Sequence, residues 1–501
     1  MSFNPVTMDI LTSSLIVVSI AWICIQILSS DFRARKSSKL PPGPYGLPII
    51  GNILHLGSKP HRSLAKLARK YGPVMSLKLG SVTTVVFSSP ETAKLVLQKH
   101  DASFSSRTIP SASKALRHDE FSMVWLPVGE QWRKLRKICK EHMFSTSRLD
   151  ASEGLRREKL QKLRDYVGEC CETGRAVDVG EAAFTTSLNL MSASLFSVEF
   201  GQFNSDSSQE MKDVVWGVME SVGRPNLADY FPVLKFADPQ RILKGLEFNV
   251  GKLIARFDEI IDERLKSRGE KHDLVEVLID LHQKDGAQLS RDDIKHLLLD
   301  LFVAGTDTTS GTVEWAMTEL IRNPIKMWKL RNEIRNLIEK NGKIEESDIS
   351  LLPYLQAVVK ETFRLHPVAP FLVPHKAKSD VEINGYIVPK NAQILVNVWA
   401  SGRDPSFWEN ANEFMPERFL NENDGVDFKG QDFELIPFGT GRRICPGLSL
   451  ANRMVHQMLA TFVGDFEWRL ESMKPQEIDM NEKFGLTLQK VVPLQAIPTK
   501  V

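Results

Sequence analysis

A mainly α-helical body with a small β-sheet region, tethered by one N-terminal transmembrane helix, is the fold class this sequence predicts. Three observations predict it. Helical periodicity runs through residues 154–167, 249–268, 294–321 and 351–366. Strand and turn patterns are confined to two short stretches, 75–87 and 381–398. Residues 10–28 carry no charge at all, which sets them apart from everything that follows. The chain has 501 residues and 42% apolar content, enough for one sizeable core. No repeat or long low-complexity segment divides it.

The elements follow in chain order. As a helix, residues 10–28 would span roughly 28 Å at 1.5 Å per residue, against about 30 Å of bilayer hydrocarbon. Arg33, Arg35, Lys36 and Lys39 come after this stretch and no basic residue precedes it. That asymmetry places the C-terminal body on the cytosolic side. A cleaved signal peptide would want a basic start and a shorter apolar run. Residues 1–30 therefore read as an anchor and 31–44 as a basic, proline-rich hinge stiffened by Pro41, Pro42 and Pro44. Residues 45–501 read as the body.

Within the body, 75–79 alternates, Gly80-Ser81 suits a tight turn and 82–87 is rich in β-formers. A second β piece runs through 381–383, the Asn384-Gly385 turn, 386–388 and 394–398. Ser290-Arg-Asp-Asp293 resembles a capping box ahead of a long helix that stops at Asn323-Pro324. Residues 297–303 are apolar nearly all round, so this helix passes through the core. Its middle reads Ala304-Gly305-Thr306-Asp307-Thr308-Thr309. Gly305 is a poor helix former, and threonines bond back to carbonyls one turn earlier. A groove here would let a small molecule lie against the backbone.

Composition narrows the function. A net charge of +2 argues against nucleic acid as a partner. Five cysteines in so long a chain do not make a disulfide framework and fit a reducing compartment. No Cys-x-x-Cys or paired-His spacing marks a zinc site. No Gly-x-Gly-x-x-Gly follows a strand, so no NADPH or flavin site is evident and electrons would come from a partner. Arg133, Lys134, Arg136, Lys137 and Lys140 form a basic stretch which, with Arg442, suits an acidic redox partner.

Cys445 lies in the glycine-rich loop 438–447. Such a loop can bring backbone N–H groups to a thiolate and favour its charged form. A buried cysteine is also commonly a small hydrophobe, and the residues alone leave both readings open. Glu361-Thr-Phe-Arg364 places opposite charges three apart on a helix face. Apolar neighbours surround this pair, which gives it a structural role.

Loop 438–447 resembles the haem-binding signature of the cytochromes P-450, Phe-x-x-Gly-x-Arg-x-Cys-x-Gly, matching at Phe438, Gly441, Arg443, Cys445 and Gly447. The string 304–309 resembles the acid–alcohol motif of that family, 361–364 its Glu-x-x-Arg pair, and Trp132-Arg-Lys-Leu-Arg136 its Trp-x-x-x-Arg element. The resemblance implies a cytochrome P-450 fold and haem b, with the Cys445 thiolate as axial ligand. It implies monooxygenase activity, with Asp307 and Thr308 delivering protons. Arg418 would join Glu361 and Arg364 in a triad that shapes the fold around the haem. Trp132, Arg136 and Arg443 would contact the propionates. His375 stands where many relatives have arginine, which leaves the charge of that contact open. The implied partners are NADPH–cytochrome P-450 reductase and, as a second donor, cytochrome b5. The implied location is the endoplasmic reticulum membrane, with a single pass.

At finer grain, Ser105-Ser-Arg107, Trp125-Leu-Pro127, 299–310 and 484–488 resemble the plant geraniol 8-hydroxylase and ferruginol synthase group, which hydroxylates terpenoids. By that analogy, substrate contacts are Leu301, Ala304, Val368, Phe371, Val373, Phe484 and Leu486, joined by the loop between Phe104 and Trp125. Rival readings are a haem-thiolate isomerase or dehydratase working without a reductase, a monooxygenase of alkaloids or phenolics, and a non-enzymatic haem binder. Isomerase relatives lose the acid–alcohol pair that this chain keeps.

Overall fold

The computed structural model describes residues 39–267, 269, 273–284, 289–420 and 425–500. The expected membrane-spanning helix at 10–28 lies outside them. Among the described residues no helix is long and apolar enough to cross a membrane.

The longer helices are α1 (Pro60–Tyr71), α2 (Glu130–Cys139), α3 (Glu153–Thr173), α4 (Val179–Phe196), α5 (Asp206–Gly223), α6 (Ile242–Lys266), α7 (Leu274–Lys284), α8 (Arg291–Arg322), α9 (Pro324–Asn341), α10 (Pro353–Leu365) and α11 (Leu448–Asp465). The strands are β1 (Val74–Leu79), β2 (Val82–Phe87), β3 (Ser106–Arg107), β4 (Val177–Asp178), β5 (His375–Lys376), β6 (Val381–Ile383), β7 (Tyr386–Val388), β8 (Gln393–Val396), β9 (Phe466–Arg469), β10 (Glu482–Phe484), β11 (Leu488–Lys490) and β12 (Gln495–Lys500). The largest sheet has the order β1-β2-β8-β5-β3. The mainly helical architecture with small sheets agrees with the sequence reading.

Helix α8 organises the core. Its capping box forms as expected: the Asp293 N–H donates to Ser290 Oγ at 3.1 Å, and the Ser290 N–H donates to Asp293 Oδ2 at 2.8 Å. Each half of the helix buries apolar residues in a different cluster. Val313, Met317 and Leu320 pack with α10 and α11, whereas Leu297, Leu301 and Phe302 pack with α4 and α6. The hydroxyls of Thr306, Thr308 and Thr312 donate to carbonyls four residues back at 2.7, 2.8 and 2.9 Å. Ala304, Gly305, Thr308 and Thr309 line a cavity, as the expected groove requires, though one side of Gly305 is closed. Met191 of α4 fills that side so closely that an added Cβ would meet its sulfur at 2.7 Å.

The β1–β2 hairpin turns at Gly80, and β6–β7 turns through Asn384 and Gly385, both at positive φ. Strand β8 ends two residues short of the expected 398. Asn397 stops it, because its side chain caps a short helix by accepting the Ala400 N–H at 3.1 Å. The short pair β3–β5 has no strong alternation and is invisible in the sequence. It sets Arg107 directly across from His375.

Candidate active site

Cys445 lies just before the N-terminus of α11. Its N–H donates to the Phe438 carbonyl at 3.0 Å, which closes the loop on itself. Burial pushes the thiol pKa up, while the N–H groups of Gly447 and Leu448 and the charge of Arg136 act against burial. The positive end of the α11 dipole favours the thiolate in the same way.

Cys445 opens onto two adjoining cavities of 240 and 140 Å³, and Met123, Val124, Thr308, Thr309, Phe438 and Ala451 line both. Thr308 faces this chamber. Asp307, one residue earlier and about 100° round the helix, lines neither cavity. Its carboxylate accepts from Thr487 Oγ1 at 2.7 Å and Gln489 Nε2 at 2.6 Å. Burial raises its pKa, opposed only in part by those two donors and by the charge of Lys212.

Arg107, Arg136 and Arg443 all line the larger cavity, whose lining contains no carboxylate. Burial lowers the pKa of each, and mutual repulsion deepens the effect for Arg107 and Arg443; that of Arg443 falls to about 10. Arg443 donates to the carbonyls of Ser105, Met123, Val124 and Leu126. It stacks over Trp132 at 4.9 Å, and Arg136 stacks on the same ring at 5.6 Å. Sequence reasoning placed Arg107 only within the Ser105-Ser-Arg107 resemblance and the loop expected to contact substrate, and gave it no role toward an anionic group.

His375 reaches the same cavity. Its Nδ1 lies 2.7 Å from the Phe104 carbonyl, so Nδ1 carries the proton. Burial first, then the charges of Arg107 and Arg443, hold its pKa well below the ordinary value. The imidazole is therefore neutral.

These residues fit a haem. Three guanidinium groups on a lining without a carboxylate call for an anionic ligand, and two propionates would meet that need. Phe363, Val368, Leu372, Phe438 and Val455 supply apolar walls for a flat macrocycle. Among the described residues no group of three or more His, Cys, Asp and Glu can hold a metal ion. An ion bound by Cys445 must bring its other ligands with it, as haem iron does.

Glu361, Arg364 and Arg418 come together as a buried triad. Arg364 Nε and Nη2 grip the Glu361 carboxylate at 2.6 and 2.8 Å, and Arg418 Nε reaches it at 3.2 Å. The Met415 N–H adds a further bond at 2.6 Å. None of the three lines the chamber. Phe363, between them on α10, packs edge-on against Phe438 at 5.2 Å and so links the triad to the Cys445 loop.

Of the expected substrate contacts, Leu301 and Ala304 line the smaller cavity, and Val368 and Val373 the larger. Phe371 and Phe484 instead pack on each other at 6.1 Å, in a cluster with β1 and β2 residues. Leu486 packs into the helical cluster around α4 to α6. Met123, Val124, Ala369 and Leu372 occupy the walls in their place. They sit on irregular segments, where no periodicity tells inward from outward.

The cytochrome P-450 family profile matches residues 41–494. The chain is 57% identical to cytochrome P-450 76T24 of Catharanthus roseus, over 98% of this chain and 99% of that one. It is 51% identical to ferruginol synthase of Isodon rubescens, over 94% and 97% of the two chains. It is 49% identical to geraniol 8-hydroxylase of Catharanthus roseus, over 98% and 100%. A thiolate-bearing loop, a cationic cavity without a counter-ion and a profile match across nearly the whole chain agree: this protein belongs to the cytochrome P-450 family of haem-thiolate monooxygenases.

Proposed function

We propose that this enzyme hydroxylates an apolar terpenoid, a monoterpenol such as geraniol or a diterpene, while docked on the endoplasmic reticulum membrane and supplied with electrons by NADPH–cytochrome P-450 reductase. Cytochrome b5 is the second donor. The observation that carries this reading is a chamber with Cys445 and Thr308 on its walls and apolar side chains over most of the remainder. The names of the relatives, ferruginol synthase and geraniol 8-hydroxylase, supply the substrate class.

When bound, haem supplies the oxygen activation that puts one oxygen atom into a substrate C–H bond. The chain's own residues set the conditions. Cys445 Sγ would hold the haem iron, and the Gly447 and Leu448 N–H groups steady its charge. Arg107, Arg136 and Arg443 would hold the propionates, two of them against the Trp132 ring. His375 donates its Nδ1–H to the Phe104 carbonyl, so as a neutral ring it offers the cavity only the accepting Nε2. Thr308 holds a proton at Oγ1, now donated to the Ala304 carbonyl, and can turn it to the chamber. Asp307 resupplies that proton. The Val368, Leu372 and Val373 side chains exclude water and select apolar substrates.

Membrane docking is supported by an exposed apolar face. Leu47, Ile49 and Leu54 project from one segment and Val233 and Phe236 from another, Phe236 being 98% exposed. The β1–β2 turn joins the two segments: the Gly80 N–H donates to the Ile50 carbonyl at 3.2 Å and the Ser81 N–H to the Tyr230 carbonyl at 2.8 Å. Arg133, Lys137 and Lys140 are exposed on α2 and the turn after it, available to an acidic donor.

The test is a titration by haem spin shift over monoterpenols, diterpenes and alkaloids, then product identification with and without NADPH and reductase. Oxygenated terpenoid that appears only with both is expected; a product formed without them would establish the isomerase reading. Thr308→Ala should keep its haem and leak peroxide, and unchanged coupling of NADPH use to product would remove its proton role.

A further inference from the structure

Asp307 is tied to a hairpin that also holds a wall residue of the chamber and the end of α5. Strands β10 and β11 pair with Lys483 opposite Gln489 and Phe484 opposite Leu488. The hairpin carries both of the side chains that donate to the Asp307 carboxylate. Its backbone makes two further attachments. The Leu488 N–H donates to the carbonyl of Val368, a wall residue, at 2.7 Å. The Leu486 N–H donates to the Met219 carbonyl near the end of α5 at 2.9 Å. Lys483 pairs with Glu220 on the same helix end at 3.3 Å. The contact there is backbone to backbone: a Cβ on Gly223 would lie 1.7 Å from the Leu486 nitrogen. The hairpin therefore cannot shift unless α5 or Val368 moves with it.

Neutral donors hold this carboxylate. A hydroxyl and an amide fix its direction without neutralising its charge. This arrangement suits a group that must be held and released, and it differs from the guanidinium grip on Glu361.

We propose that Thr487 and Gln489 are positioning residues that latch the Asp307 carboxyl away from the chamber, on a hairpin that ties the latch to the chamber wall at Val368 and to the end of α5. The inference rests on the proton-supplying role given to Asp307 above. It makes Asp307 available only after the hairpin shifts, so oxygen chemistry in the empty enzyme is restrained.

The test uses full-chain holoprotein carrying Thr487→Val, Gln489→Leu or Thr487→Ser, each alone and combined with Asp307→Asn. Two readouts are taken. One is NADPH oxidation with reductase and no substrate. The other needs no turnover: the infrared carboxyl vibration of the ferric protein that Asp307→Asn removes. Thr487→Val and Gln489→Leu should each shift that vibration and raise substrate-free oxidation several-fold. Thr487→Ser should restore both, and the rise should vanish in the Asp307→Asn background. Gln489→Leu stands in if Thr487→Val disturbs packing. An unshifted band, a shift with no rise, or a rise that persists with Asp307→Asn overturns the latch while leaving the role of Asp307 intact. Full coupling of NADPH use to product in Asp307→Asn alone overturns the underlying role, and the latch with it.

Discussion

Glu361 on α10 and Asp307 on α8 are both carboxylates buried in the core, at 0% and 3% exposure, and they are held by opposite chemistry. Glu361 meets two guanidinium groups and a backbone N–H. Those guanidinium groups also donate to the Gly402, Ala411, Glu413 and Glu409 carbonyls, so the triad ties α10 to residues 402–418. Asp307 meets a hydroxyl and an amide on one hairpin. The difference separates a carboxylate held by cations from one held by neutral donors, and the second arrangement suits the proton-supplying role proposed for Asp307. Full charge compensation makes a buried pair costly to break, whereas partial compensation leaves the proton affinity raised and the group ready to exchange a proton.

The comparison can be broken most sharply at the triad. Glu361→Ala leaves Arg364 and Arg418 buried without their carboxylate, at a cost of about 3–5 kcal/mol. Against a typical total of about 5–15 kcal/mol, that should show as a large drop in the urea unfolding midpoint and as protein purified without haem. A fully loaded, stable Glu361→Ala protein would remove the structural role. Arg418→Ala should cost less, about 1.5–3 kcal/mol for a charged hydrogen bond, because Arg364 keeps the tighter grip on Glu361. Equal losses for Arg418→Ala and Arg364→Ala would mean that the triad acts as one unit.

Asp307→Asn should change stability least, and in the opposite direction. The folded-state pKa of Asp307 is raised by burial. The folded protein thus binds the proton more tightly than the unfolded chain, and ionisation works against the fold at neutral pH. The variant should therefore match or exceed the parent in urea at neutral pH. Their difference should shrink as the pH falls toward the ordinary aspartate value. A gap that widened on acidification would mean a depressed pKa and a hidden cation. Catalysis should respond the other way round: Asp307→Asn uncouples turnover in a protein that keeps its haem.

The boundaries of α8 were legible because a capping box and an Asn-Pro stop are local signals, and both act as written. The Glu361–Arg364 pair was legible, since residues three apart on a helix share a face, and Arg418 was added to it only by the family resemblance. Arg107 was not, because it reaches the site through a two-residue strand whose partner lies far along the chain. Phe371 and Phe484 were expected as substrate contacts by analogy, but an analogy of segments does not tell a chamber wall from a core under a sheet. His375 left a charge undecided, and burial beside Arg107 and Arg443 disfavours the charged ring.

The sequence alone determined the mainly helical class and the bounds of the long helix through periodicity and local caps, and its resemblance to family motifs pointed to the Cys445 loop and the acid–alcohol pair. Both kinds of signal are short-range, and packing does not alter them. Only the tertiary structure decided that Thr308 faces the chamber while Asp307 faces a hairpin, and that three arginines from distant segments share one cavity. Those facts follow from long-range contacts. Burial and partners across more than a hundred residues set the direction and protonation of each group, and no local pattern encodes them.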